Sequence, residues 1–263
     1  MHLRRLIIAA ILMPLLFFYV TRLPVQYSFY LITVVAALGL YEFYTMFRLN
    51  AVMKYLGMAW GIGMMAVFYL SPASMYSFLL SAGLFFLALR LFLKPDPASS
   101  MHETAATLLG LLYVPGLLTF QVSIAMHSPD WIIFLYATVW AADSMAYYIG
   151  SNLGRYKLYE AMSPNKTIEG GVGSVLGGII GAGILKAAMF PQVSVPQFII
   201  LGAAVGATTI VGDLVESMLK RDAGVKDSGS IFPGHGGILD KIDGSTFAGP
   251  VFFWICLWSG VMR

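Results

Sequence analysis

Acidic side chains inside long apolar runs are costly in lipid and mark functional positions. Asp143 lies in such a run, in Trp140-Ala-Ala-Asp143-Ser-Met-Ala-Tyr147, seven residues before Gly150. Asp213 lies in another, seven residues before Lys220. At a helical rise of about 1.5 Å per residue, each sits about 10 Å from the end of its segment. Two carboxylates at one depth on different helices can converge on one cation. The competing reading is that each pairs with a nearby Lys or Arg. Asp213, Glu216, Ser217 and Lys220 follow three- and four-residue spacing and share a helix face. Glu216 and Lys220 also fit a simple helical ion pair.

A polar stretch follows, Lys220-Arg221-Asp222-Ala-Gly224-Val-Lys226-Asp227-Ser228-Gly229-Ser230, and then Pro233-Gly234-His235-Gly236-Gly237. Cations supply charge, and glycines let backbone N–H groups approach closely, so the stretch suits a phosphate-rich ligand. Asp240 and Asp243 come next, three residues apart and on one face if helical. With Asp213 and Asp143 they offer the hard oxygen donors that Mg²⁺ takes, with room for a second cation. Asp243 would otherwise serve as a helix N-cap. No Ser–His–Asp or Cys–His arrangement is evident.

These residues need a scaffold, and composition says what kind. Of 263 residues, 59% are hydrophobic and 11% charged. Soluble domains average about 45–50% and about 25%. The apolar surplus fits a chain solvated by lipid. The net charge of +3 gives no reason to expect nucleic-acid binding. The one cysteine, Cys256, excludes an internal disulfide and a multi-cysteine metal site.

Nine segments are long and apolar enough to span, predicting an all-α polytopic fold. They are Leu6–Thr21, Val25–Phe47, Val52–Leu70, Ser74–Leu93, Thr104–Met126, Trp131–Gly150, Gly170–Phe190, Pro196–Leu219 and Ser245–Met262. The first could resemble a signal peptide, but Phe17, Phe18 and Tyr19 replace the small residues of a cleavage site, so it reads as uncleaved. No connector holds a separate soluble domain. The chain reads as one membrane domain, with N-terminal spans over 1–135 and a chemistry-bearing half over 136–263. Gly173, Gly177 and Gly181, and Gly202 with Gly206, have the spacing of closely packed membrane helices. Trp131, Trp254 and Trp258 fall where an aromatic belt would lie.

Nine spans divide the ends and connectors into two alternating sets. Arg4, Arg5, Arg48, Lys54, Arg90, Lys94, Arg155, Lys157, Lys166, Lys220, Arg221, Lys226 and Lys241 fall in one. Arg22, Lys186 and Arg263 fall in the other. This split predicts that the first set is cytoplasmic, together with both long polar connectors.

The run Ser217-Met-Leu-Lys220-Arg221-(four residues)-Lys226-Asp227-Ser-Gly-Ser-Ile-Phe-Pro-Gly234-His235-Gly236-Gly237-Ile-Leu-Asp240-Lys241-Ile-Asp243 resembles the signature of the phosphatidate cytidylyltransferase family. Asp143-Ser-Met-Ala-Tyr147 and Ser163-Pro-Asn-Lys166-Thr-Ile-Glu169-Gly170 are also similar to family segments. The resemblance covers residues 140–250; before that the chain is similar only as apolar spans. The family usually has Arg where this chain has Lys241, which keeps the charge and loses the bidentate fork.

The resemblance implies synthesis of CDP-diacylglycerol and pyrophosphate from CTP and phosphatidic acid with Mg²⁺. It implies a homodimer in the cell inner (plasma) membrane. It implies a catalytic set of Asp213, Lys220, Arg221, Lys226, Asp227, His235, Asp240 and Asp243. Ser163, Lys166, Lys226, Gly234, His235, Gly236, Gly237 and Lys241 would hold the nucleotide, and Asp143, Asp213, Asp240 and Asp243 the metal. Lys220 and Arg221, nearer the interface, would suit the lipid phosphate. Two other readings compete. A CTP-dependent polyprenol kinase would use the same donor, and an ion-coupled transporter would use the intramembrane aspartates. Transport needs polar groups through the full membrane, whereas these gather at one face. A CDP-alcohol phosphotransferase is disfavoured, because Asp243-Gly244 is followed by Ser-Thr-Phe-Ala.

Overall fold

The computed structural model describes residues 18–19, 22–94, 96–231 and 236–262. The expected first span, Leu6–Thr21, lies outside them apart from Phe18 and Tyr19, as do Arg4, Arg5, Gly234, His235 and Arg263.

The described chain is helical almost throughout. Helices α1 (Val25–Met46), α2 (Ala51–Leu70) and α3 (Met75–Leu93) are followed by α4 (Ser100–Leu111) and α5 (Leu117–His127). Then come α6 (Pro129–Leu153), strands β1 (Lys157–Tyr159) and β2 (Ser163–Thr167), α7 (Ile168–Ala188), α8 (Val195–Asp222) and α9 (Leu239–Trp258). Seven helical stretches among the described residues are long and apolar enough to cross a membrane, with α4 and α5 acting as one. The chain is an all-α polytopic membrane protein. The expected ninth span is the helix α9, but it is not one of the seven. Asp240, Lys241 and Asp243 lie in its first two turns and lower its apolarity.

Local chemistry explains the breaks. Between α4 and α5 the helix widens into a π turn over Leu112–Gly116. Pro115 has no N–H to continue the ladder, and the wide turn absorbs the defect without ending the helix. Asn50 caps α2 by accepting from the Met53 N–H at 2.9 Å. Ser194 and Gln197 form a capping box at the start of α8. At its other end Gly224, at φ +72°, closes a Schellman turn. There the Val225 N–H donates to the Lys220 carbonyl, and the Gly224 N–H to that of Arg221. The connector 151–169 holds a feature the apolar pattern did not announce, an antiparallel β1–β2 hairpin. Its strands are short and carry no alternating apolar pattern.

Glycines set the distances between helices α6, α7, α8 and α9. A Cβ on Gly177 would lie 2.5 Å from the Ala141 carbonyl oxygen, so α7 meets α6 backbone to backbone. Gly178 faces Gly202 across the α7–α8 contact, and a Cβ on Gly206 would lie 2.8 Å from the Val175 Cα. Small residues at four-residue spacing are what such approaches require. Helices α1–α4 build an apolar core around Leu40, Phe43, Met64 and Phe86, and a second core gathers Phe134, Leu201 and Phe252. Trp131 belongs to that second core. It is buried, with its ring centroid 4.5 Å from that of Phe190, and is not part of an interfacial belt. Trp254 and Trp258 are exposed.

Candidate active site

The close crossing of α8 and α9 brings the carboxylates together. A Cβ on Gly212 would lie 2.5 Å from the Asp243 carbonyl oxygen, and one on Gly244 would lie 2.8 Å from Thr209 Cγ2. With no side chain at either position, Asp213 on α8 comes beside Asp243 on α9. Asp213, Glu216 and Asp243 each place an oxygen within 4.8 Å of the other two. Asp143 on α6 is close enough to Asp213 and Lys166 for both charges to act on it. Asp143 and Asp213 are ten and nine residues from their helix ends, so the shared depth read from the sequence is retained. Asp243 lies in the second turn of α9, which begins at Leu239, so it does not cap that helix.

Two lysines enter this acidic group. Lys166, in β2, forms an ion pair with Asp213. Its place is fixed by the next residue, because the Thr167 hydroxyl caps α7 by accepting from the Gly170 N–H at 3.1 Å. Lys220 Nζ lies 2.5 Å from Glu216 Oε2 and 2.5 Å from Asp240 Oδ1. The helical Glu216–Lys220 pair therefore forms, and Asp240 extends it to a bridge. Glu216 is 2% exposed, and among the described residues its Oε1 has no hydrogen-bond partner.

Asp240 is drawn away from the other acids although it shares α9 with Asp243. Its Oδ2 accepts from the Ser228 N–H at 3.0 Å, the Ser228 hydroxyl at 2.9 Å and the Gly237 N–H at 2.8 Å. Burial works to raise its carboxyl, but the Lys220 ammonium and these N–H donors outweigh burial and hold it at about 2. Gly236, at φ +84°, must lack a side chain, since a Cβ there would lie 2.5 Å from Asp240 Oδ2.

The remaining sequence candidates are less closely gathered. Lys226, Asp227 and Lys241 are exposed, and their side chains make no hydrogen bond or ion pair among the described residues. Arg221 is exposed and donates to the Val225 carbonyl at 3.1 Å and, more weakly, to that of Met162 in the hairpin at 3.4 Å. Ser163 pairs with Tyr159 across the hairpin. Gly237 is buried against Asp240. Gly234 and His235 lie outside the described residues.

Two groups were passed over in the sequence. Tyr113, in the π turn, is buried and near enough to Glu216, Asp243, Asp213 and Asp240 to feel their charges. Its signal is the proline two residues on, since π turns concentrate at functional sites. Glu42, in α1, is 3% exposed and accepts from Ser228 and from the start of α9. Its signal is a carboxylate inside an apolar span.

Five carboxylates, Asp143, Asp213, Glu216, Asp240 and Asp243, thus face two ammonium groups, Lys166 and Lys220. The oxygen donors, the surplus negative charge and the unpartnered Glu216 Oε1 fit a hard divalent cation. The group is not sealed, as 39% of the Asp213 side chain remains accessible. A cation held there can meet a phosphate from outside, and exposed Lys226 and Arg221 stand at the same end of α8.

Residues 3–259 match the profile of the Cytidylyltransferase family. A phosphatidate cytidylyltransferase of Synechocystis sp. is 45% identical over 126 residues, 46% of this chain and 41% of the relative. One of Haemophilus influenzae is 40% identical over 148 residues, covering 53% and 51%. One of Thermotoga maritima is 34% identical over 200 residues, covering 73% of each. The chain spans about half the length of several curated relatives it matches.

Proposed function

The chain belongs to the cytidylyltransferase family, and from that premise we propose that it transfers the cytidylyl group of CTP to phosphatidic acid, forming CDP-diacylglycerol and pyrophosphate. The observation that carries this reading is the group of Asp213, Glu216 and Asp243, within 4.8 Å of one another, at the membrane end that bears the cationic, glycine-rich connector. Relatives named phosphatidate cytidylyltransferases suggest the substrate class. Nothing in the arrangement favours a polyprenol kinase or a transporter.

In this reaction an oxygen of the lipid phosphate forms a bond to the α-phosphorus of CTP. The bond from that phosphorus to the bridging β-phosphate oxygen breaks, and pyrophosphate leaves with the electron pair. The attacking phosphate monoester has a second pKa of about 6 and is already ionised at neutral pH, so no protein base is required. The protein's task is charge neutralisation and in-line placement. Asp213, Glu216 and Asp243 would hold Mg²⁺, with Asp143 beside them and Asp240 tied to the group through Lys220. That ion, when bound, neutralises charge developing on the triphosphate. Lys166 offsets Asp213 and contacts a nucleotide phosphate. Lys226, exposed on the connector, meets the nucleotide with Gly236, while Gly237 is taken up by Asp240, and His235 acts as a phosphate contact. Ser163 belongs to the hairpin that carries Lys166, and exposed Asp227 stands beside Lys226 on the connector. Lys241 offers a single-point contact to the nucleotide. Arg221 meets the lipid phosphate. Lys220, locked between Glu216 and Asp240, acts on that phosphate by holding its neighbours.

The catalytic half is 136–263, with the site facing the cytoplasm of a bacterial inner membrane. The bias of basic residues supports that orientation, and reporter fusions in the 220–244 connector test it. The homodimer the family resemblance implies belongs to the same reading, and sedimentation in detergent tests it. The activity itself is tested by supplying purified protein in detergent with CTP, Mg²⁺ and phosphatidic acid. A cytidine-containing lipid is expected, and its absence under those conditions would refute the assignment.

A further inference from the structure

We infer that Glu42, from the N-terminal half, is a positioning residue that caps helix α9 and fixes where Asp240 and Asp243 stand; this rests on the activity proposed above. A helix leaves its first N–H groups without intrahelical partners. In α9 the N-cap position is Ile238, which has no side chain able to help. Glu42 does so from another helix: Oε1 accepts from the Ile238 N–H at 2.9 Å, and Oε2 from the Leu239 N–H at 3.0 Å. Oε2 also accepts from the Ser228 hydroxyl at 3.1 Å. A carboxylate at a helix N-terminus is favoured by the dipole and by charge-assisted hydrogen bonds.

The surroundings are shaped to this carboxylate. A Cβ on Gly229 or Gly237 would collide with it, so both positions are glycine because Glu42 fills the space. Glu42 and Asp240 grip the same two segments from two sides, with the Ser228 hydroxyl between them. From Asp240 the contacts run through Lys220 to Glu216 and so to the cation-binding group. A shift of α9 along its axis would therefore change the spacing of Asp243 from Asp213. The N-terminal spans thus have a role beyond anchoring.

Glu42→Gln separates this from a merely structural role. Its amide places an NH₂ where Oε2 now accepts, facing the Leu239 N–H. The Mg²⁺ concentration for half-maximal activity and KM for CTP are expected to rise about 10- to 100-fold. KM for phosphatidic acid should stay within about threefold of the unsubstituted enzyme. Independently of activity, trypsin cleavage after Lys226 in detergent should speed up about tenfold, with cleavage after Lys157 unchanged. If Glu42→Gln does not fold, Glu42→Asp, which keeps the charge and shortens the reach, is measured instead and should shift the same quantities in the same directions. Unchanged cleavage, unchanged Mg²⁺ and CTP constants, or equal losses toward both substrates would each overturn the inference. Faster cleavage in a protein whose unsubstituted form makes no cytidine lipid would leave the cap standing and remove the proposed activity instead.

Discussion

Lys220 is the residue whose removal has the most calculable consequence. Its ammonium serves two carboxylates at 2.5 Å each, with side-chain exposures of 10% for Lys220, 2% for Glu216 and 11% for Asp240. Lys220→Met keeps most of the aliphatic volume and removes the charge. Asp240 retains three hydrogen-bond donors and tolerates the loss. Glu216 has no such support, since its other oxygen already lacks a partner among the described residues. Removing one partner of a buried ion pair costs about 3–5 kcal/mol, most of it from the charge left behind. For a chain of this size that is an apparent Tm lower by on the order of 10 °C. The assay is thermal unfolding in detergent with EDTA, with Lys220→Met beside the double variant Lys220→Met/Glu216→Met. Because the double variant leaves no orphaned Glu216 charge, it should be the more stable of the two. A single variant within about 1 kcal/mol of the unsubstituted protein, the surface-pair range, would refute the reasoning. So would a double variant that is less stable than the single one.

Other consequences follow from the same geometry. Asp213→Asn and Asp243→Asn should each lower turnover by about 100-fold or more, with unchanged Tm, and EDTA should abolish turnover in a way that Mg²⁺ reverses. The Asp240 carboxyl is held at about 2 when folded and titrates near 3.9 when unfolded. Its contribution to stability is therefore full above about pH 4 and lost as pH falls toward about 2. In EDTA, Asp240→Asn should show a flatter stability curve across that window, measured by denaturation at stepped pH. Gly212→Ala places a Cβ 2.5 Å from the Asp243 carbonyl oxygen. It should cost about 1–3 kcal/mol by overpacking and lower turnover, both read against a Gly83→Ala control where nothing lies within 4 Å.

What the sequence disclosed and what it withheld have physical causes. Apolar length is a strong signal, so the spans from Val25 to Leu219 were legible, and glycine spacing announced the close packing of α7. Asp143, Asp213 and Asp243 stood out because carboxylates are rare in or beside apolar runs. Which oxygens face one another was not legible. Asp240 and Asp243 are three residues apart on one helix, yet Lys220 and two backbone segments draw Asp240 aside while Gly212 lets Asp243 meet Asp213. Glu216 looked like half of an ordinary helical pair, because the acid that meets it, Asp243, arrives twenty-seven residues later in the chain. Glu42 was overlooked for a similar reason. Its partners lie beyond residue 227, and no local spacing reports a contact over 186 residues or more. The hairpin that delivers Lys166 is too short to leave a periodic trace.

The fate of the phosphorus atoms of CTP tests the proposed reaction most directly. Purified protein would be given phosphatidic acid, Mg²⁺ and CTP labelled at either the α- or the γ-phosphorus. The expected result is α-label in a lipid product, γ-label in pyrophosphate, and one pyrophosphate for each lipid formed. Transfer of γ-label to a lipid would show kinase chemistry and contradict cytidylyl transfer, as would failure of either label to leave CTP.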